Sequence, residues 1–235
     1  VSDPIKVFDK TSATYEDWYR QPKGAQVLQS ELHGLEVLLP QAGLGAEIGG
    51  GTGIFAEHLT SEERQVICLD LSPGMLERVV QKGLPAVLAT AEDCPLKQGS
   101  LDFAYMVTVL EFLPDPVGAL RSISATLKED APLVTLTINR ESPWGELYAD
   151  LAEKGDPIFS HARLYTFEEV RAILAGAGYV PLEAVGTLTA SPDEPAEEEI
   201  ELVPAGPGAG VILIKARTSA HTSQPSPARP RVTRE

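Results

Sequence analysis

Cysteine is scarce in this sequence, and its scarcity narrows the reading at once. Cys68 and Cys94 are the only two and form no CxxC pair, which excludes a disulfide framework, gives no support to a structural zinc site and fits a reducing compartment. Basic residues are also few: 19 lysines and arginines stand against 34 acidic residues, a formal charge of -15. At that charge, unassisted binding to nucleic-acid phosphates or anionic lipid is electrostatically unfavourable, so neither a nucleic-acid nor a membrane partner is expected. The one basic cluster, "ARPRVTRE" at residues 228–235, lies in a Pro/Ser-rich tail too sparse to argue from. Long apolar runs are missing too, because Gly or Pro punctuates each of them, and the first ten residues are polar and charged. No signal peptide or membrane span is read, and the expectation is a soluble, cytoplasmic protein.

What is present suffices for one α/β domain with decorations: 235 residues, 43% hydrophobic. Residues 14–39 carry Tyr15, Trp18, Tyr19, Val27, Leu28, Leu32, Leu35, Leu38 and Leu39 at mixed helical spacing, which predicts two helices broken near Pro22 and Gly24. Then "GLGAEIG" reads as a strand, "GIFAEHLT" as a helix, "QVICLDL" as a strand and "SPGMLERVVQKG" as a helix with Ser72 as N-cap and Pro73 in its first turn. "PAVLAT", "SLDFAYMVTVL" and "APLVTLTIN" read as further strands, with a helix "DPVGALRSISATLK" before the last of them. Strands alternating with helices imply parallel crossovers and a sheet covered on both faces. After Arg140 an irregular or helical insert leads to a helix "TFEEVRAILAGAG" and two more strands, "YVPLEAVGTL" and "GVILIKA". The acidic, Pro/Gly-rich link between those strands reads as a long solvated hairpin loop, and residues from Thr218 onward lack the apolar side chains to join a core.

The densest signal is "AEIGGGTGIF", residues 46–55. Glycines where a strand turns into a helix let the backbone take positive φ and let a ligand approach where a Cβ would collide. Such a site lies at the carboxyl end of the first strand, the usual ligand position in open α/β sheets. Two ligand classes share this geometry, a nicotinamide or flavin dinucleotide and S-adenosylmethionine. The spacing Gly49-x-Gly51-x-Gly53 departs from the dinucleotide GxGxxG, and Glu47 just ahead of it suits an amino group and a sulfonium better than a pyrophosphate. Asp70 follows about twenty residues on, placed to accept from ribose hydroxyls, which both cofactors carry.

Four segments, "AEIGGGTGIFAEHL", "LDLSPGMLE", "ATAEDCPLKQGSLDFAYMVTVLEFLPDP" and "AGAGY", together resemble the class I S-adenosylmethionine-dependent methyltransferases, in the small-molecule branch similar to ubiquinone/menaquinone methyltransferases. The resemblance runs from about Phe8 to Ala216. It implies a Rossmann-like, doubly wound, seven-stranded α/β sheet, mostly parallel, whose last strand inserts antiparallel. It divides the chain into an N-terminal helical lid at 1–40, the methyltransferase domain at 41–217, with an insert at about 141–165 and the acidic loop at about 190–209, and a disordered tail at 218–235.

By the same resemblance, Glu47 to Gly53 would hold the methionine part, Asp70 with Leu71 the ribose, and Met75 would pack near the adenine. The family's "DAExLPF" segment, whose first position often meets the adenine amine, has Thr90 there, followed by Ala91 and Glu92; Val107 completes the cofactor set. Tyr15, Trp18 and Tyr19 look like a lid over the cofactor, while Arg140, Trp144 and Tyr148 follow the fifth strand, where similar enzymes shape the acceptor pocket. "VFDKTSATYEDWYRQPKG" and "NRESPWGELY" look like a set of archaeal and bacterial methyltransferase-like proteins.

Each residue also has a plainer reading: tight packing for the glycines, a turn for Asp70, core for Met75, solvated loop carboxylates for Glu92 and Asp93, a packed helix face for the aromatic trio. Methyl transfer is a direct displacement for which proximity and orientation supply much of the rate. Where the acceptor needs a base, Glu111 and His161 are the candidates, with a loop carboxylate near Pro114 and an exposed loop histidine as their plainer readings. The expected reaction passes the methyl of S-adenosylmethionine to a small-molecule acceptor and releases S-adenosylhomocysteine. The competing classes are a non-catalytic S-adenosylmethionine-binding protein and a nicotinamide-dependent oxidoreductase.

Overall fold

A computed structural model describes residues 4–195 and 200–219. One eight-stranded sheet forms the centre, in the order β3-β2-β1-β4-β5-β8-β6-β7. Its strands are β1 (Gly43–Ile48), β2 (Arg64–Asp70), β3 (Ala86–Leu88), β4 (Phe103–Val107), β5 (Leu133–Ile138), β6 (Tyr179–Thr187), β7 (Val203–Pro204) and β8 (Val211–Thr218). β1 to β5 run parallel, and β8 inserts antiparallel between β5 and β6. All residues of β4 and β5 are buried, as expected of central strands covered on both faces.

The helices are α1 (Pro4–Thr11), α2 (Pro22–Leu38), α3 (Ile54–Leu59), α4 (Pro73–Gln81), α5 (Pro116–Thr126), α6 (Pro143–Glu153) and α7 (Phe167–Gly176). One apolar layer joins α2, α3 and α4 to the sheet through Leu35, Leu38, Leu59, Val79 and Phe103. The other joins α5 and α7 through Ile48, Met106, Leu120, Ile123 and Leu174. Strand order reverses between β1 and β4, and in an open sheet of this kind the crevice beyond the carboxyl ends of those strands is where ligands bind.

The structure corrects several expectations. The sheet has eight strands rather than seven, because two residues of the acidic link, Val203 and Pro204, pair with Val185 and Gly186; a proline is tolerated there because β7 is the sheet edge. Pro22 begins a helix rather than breaking one, since its fixed φ suits the first helical position. Ahead of it, among the described residues, stand only a 3-10 turn at Tyr15–Asp17 and the unforeseen α1. β4 stops at Val107 because Thr108 takes a φ of 49°, incompatible with an extended strand. α2, with nine buried residues, belongs to the layer covering the sheet, so of the expected lid at 1–40 only residues 4–21 stand apart. Thr218, placed in the tail, ends β8, and the Ser219 amide donates to Gly178 O at 3.0 Å. Residues 220–235 of that tail and 196–199 of the acidic loop lie outside the described residues.

Candidate active site

β1 ends in a turn whose glycines take left-handed backbone, with φ of 69° at Gly49 and 52° at Gly51. The amides of Gly49 and Gly50 donate to Leu69 O at 2.7 and 3.0 Å, folding the turn back over β2. A Cβ on Gly49 would lie 2.5 Å from a Val109 methyl, whereas one on Gly51 would meet nothing within 4 Å. Gly49 is thus demanded by the fold, and Gly51 keeps space open.

That space is a cavity of about 780 Å³, within the range of small-molecule sites, about 300–1,000 Å³. Gly49, Gly51, Asp70, Leu71, Met75, Thr90, Ala91, Glu92 and Val107 line it on the sheet side. Asp70 is held there by two backbone donors, Gly51 N to Oδ2 and Ser72 N to Oδ1, both at 2.8 Å. Burial pushes its carboxyl above the ordinary range, against the pull of those amides. Met75, buried, lies on the wall at the start of α4, where Ser72 Oγ accepts its amide at 3.1 Å.

The roof comes from the N-terminal segment and the insert. Tyr15, Trp18 and Tyr19 line it, their rings packed edge to face, with Tyr19 reaching Phe55 of α3. Trp144 and Tyr148 of α6 form the far wall; the Trp144 indole donates to Ala190 O at 2.9 Å, and Tyr148 packs on Phe159 at 4.2 Å. α1 adds Ile5 and Phe8, and Asp9 anchors it by accepting from Ser72 Oγ and Gly74 N, each at 2.8 Å.

Five residues singled out in the sequence are not on this wall. Glu47 lies behind the glycine turn, accepting the Ala56 amide at 3.2 Å, and burial pushes it up to about 8. Gly53 caps α3 and faces Val79. Glu111 lies in a 3-10 turn, one oxygen accepting the Ile138 amide at 2.9 Å and the other without a partner among the described residues; burial lifts it to about 7. His161 is half-buried in a further 3-10 turn, Phe159–His161, whose Phe159 faces the cavity. Arg140 pairs with Glu169 at 2.9 Å instead of reaching inward.

Glu31 of α2 was missed. It lines the cavity at 4% exposure, and its signal lay in the spacing: with Val27, Leu35 and Leu38 it falls on the buried face of the helix. The cavity wall therefore carries four carboxylates, Glu31, Asp70, Glu92 and Asp156, and among the described residues no Lys, Arg or His. A wall without a basic side chain offers a pyrophosphate no counter-charge and raises no like charge against a cationic sulfonium. Among the described residues no group of His, Cys, Asp and Glu is arranged to hold a metal, and no helix is long and apolar enough to cross a membrane.

Comparison with known proteins agrees with this geometry. Residues 46–135 match the family model described as "Methyltransferase domain". A Thermotoga maritima structure, described as a SAM-dependent methyltransferase and possible histamine N-methyltransferase, superposes with a TM-score of 0.83 at 31% identity, covering 92% of this chain and 100% of that one. An uncharacterized Mycobacterium tuberculosis protein is 32% identical over 215 residues, 90% of this chain and 74% of that one. One from Methanocaldococcus jannaschii is 28% identical over 197 residues, 84% and 92% of the two chains. The chain belongs to the class I S-adenosylmethionine-dependent methyltransferases. Its cofactor is S-adenosylmethionine, and its reaction is methyl transfer.

Proposed function

We propose that this enzyme methylates a small organic acceptor enclosed in the same cavity as the cofactor. The observation that carries the reading is the continuity of that cavity from Asp70 and Gly51 on the sheet side to Trp144 and Tyr148 of α6. A protein that only bound the cofactor would need no such second compartment. Bound there, S-adenosylmethionine supplies a methyl group activated by its sulfonium charge.

The chain's own residues bind and enclose. Asp70, prepositioned by its two amides, accepts from the ribose hydroxyls. Met75, Leu71, Val107 and the Thr90 to Glu92 segment surround the adenine. Residues 4–21 serve as a lid that excludes water with Tyr15, Trp18 and Tyr19. Glu47 acts through the glycine turn it supports, and Glu111 through its grip on the Ile138 amide, so neither they nor His161 is assigned direct contact with the acceptor. The possible amine acceptor of the Thermotoga relative makes nitrogen compounds the first to screen.

The test is calorimetric titration of S-adenosylmethionine and S-adenosylhomocysteine into the wild type and Asp70→Ala. Loss of charge-assisted hydrogen bonds worth about 1.5–3 kcal/mol should weaken both ligands roughly ten- to hundred-fold. Equal affinity in the two proteins would remove Asp70 from the site.

A further inference from the structure

Glu31 is a buried carboxylate facing a cavity with nothing to neutralise it. Its side chain has no hydrogen bond and no ion pair among the described residues. The titratable groups that face it are Tyr15 and Tyr19 from the N-terminal segment, Tyr148 from α6 and Glu111 from the turn after β4. All are neutral or acidic. A carboxylate out of water and without a partner is costly, and a ligand cation is what would offset that cost here. The rings around it, with Trp144, line the same cavity, and aromatic side chains attract a cation placed over their faces. Glu31 reaches the cavity from α2 and lies near Tyr148 of α6.

We propose that the acceptor is a small amine with an apolar body, bound as its ammonium form, and that Glu31 is the side chain that recognises that ammonium group; the nitrogen takes the methyl group only after it has given up a proton, for which the ionised Glu31 carboxylate is the neighbouring acceptor. The inference rests on the methyltransferase reading above. An ammonium offers several N–H donors to the carboxylate, while the aromatic and aliphatic wall takes the apolar body; the matching alcohol offers one weak donor and no charge. Without a ligand, burial and Glu111 push Glu31 up to about 8, so it holds a proton at neutral pH. Seating an ammonium beside it favours the ionised form, and that proton passes to the buffer.

The experiment separates cofactor from acceptor. S-adenosylhomocysteine is titrated first into wild type, Glu31→Gln and Glu31→Asp. Benzylamine and 2-phenylethylamine, and their alcohols benzyl alcohol and 2-phenylethanol, are then titrated into the saturated proteins, in buffers of different ionisation enthalpy. The expected result is unchanged S-adenosylhomocysteine affinity in all three. At least one amine should bind the wild type about ten-fold or more tightly than its alcohol, with proton release. Glu31→Gln should lose both the preference and the release, and Glu31→Asp should keep part of the preference. The wild-type comparison and Glu31→Asp carry the test where Glu31→Gln folds poorly. Amines that bind no tighter than alcohols or not at all, a preference that survives Glu31→Gln, or S-adenosylhomocysteine affinity that falls in step, would overturn the proposal. Failure of S-adenosylhomocysteine to bind the wild type would sink the methyltransferase reading, and this inference with it.

Discussion

A single Cβ separates two roles in the glycine turn. Gly49→Ala would force a left-handed alanine against Val109, costing about 2–5 kcal/mol from strain and overpacking together. Gly51→Ala meets no neighbour, so it costs only the strain, about 1–2 kcal/mol, but sets a methyl where the cofactor must approach. Denaturant melts should show Gly49→Ala as the less stable protein, and calorimetry should show Gly51→Ala folded with S-adenosylhomocysteine affinity reduced at least about ten-fold. Undiminished binding by Gly51→Ala would contradict the cradle. At this scale the candidate wall was largely legible, because glycine spacing and the acid after β2 are local signals. Glu47 and Glu111 do not line the cavity, because sequence order gives the end of a strand a position but not a direction; both turn into the protein, toward the amides of Ala56 and Ile138. Glu31 stayed hidden because nothing in its immediate neighbours marks it, and only the face shared with Val27 and Leu35 does.

Elements read well where periodicity is strong and poorly where a proline or a tertiary contact decides. The alternation of β1 to β5 with their helices was visible, since buried parallel strands are short apolar runs set off by helical spacing. α1 was not, for eight residues at the chain start carry little pattern, and the helix is held by what it docks on: Asp9 against Ser72 and Gly74. The following 3-10 turn is tied down in the same manner, Lys82 of the loop after α4 pairing with Glu16 at 2.9 Å and with Glu57 of α3 at 2.7 Å. Lys82→Met would leave two carboxylates facing each other and remove that tie. The cost should be on the order of 1 kcal/mol, between the values for surface and buried pairs, and should fall on the segment rather than on the whole domain. Limited proteolysis should then cut within residues 10–21 faster than in the wild type while the global melt barely moves. An unchanged cleavage rate would show that α1 alone holds the segment.

For the whole molecule, the distribution of acid decides how stability depends on pH. Glu31 and Glu47 are pushed up to about 8 and Glu111 to about 7, in each case chiefly by burial, from an ordinary value of 4.5. In the unfolded chain these groups ionise near 4.5, while in the fold they keep their protons. Across the interval the native state binds more protons than the unfolded one, so stability falls as pH rises. Their contribution is complete below 4.5 and lost as pH climbs through 7 to 8. Each group adds a slope of about 1.4 kcal/mol per pH unit while it is protonated in the fold and ionised outside it. Asp9, Glu16, Asp102 and Glu169 have the opposite sign, held below their ordinary values by hydrogen bonds and, for all but Asp9, cationic partners as well. Their contribution is lost only as pH falls below the ordinary carboxylate range. The growing self-repulsion of a chain at -15 acts in the same direction as the buried acids. Urea midpoints measured from about pH 5.5 to 8.5 should therefore decline steadily, and Glu31→Gln, Glu47→Gln and Glu111→Gln, which carry no proton to lose, should each flatten the decline. A midpoint that held level or rose across that range would mean that the three carboxyls are ionised in the fold.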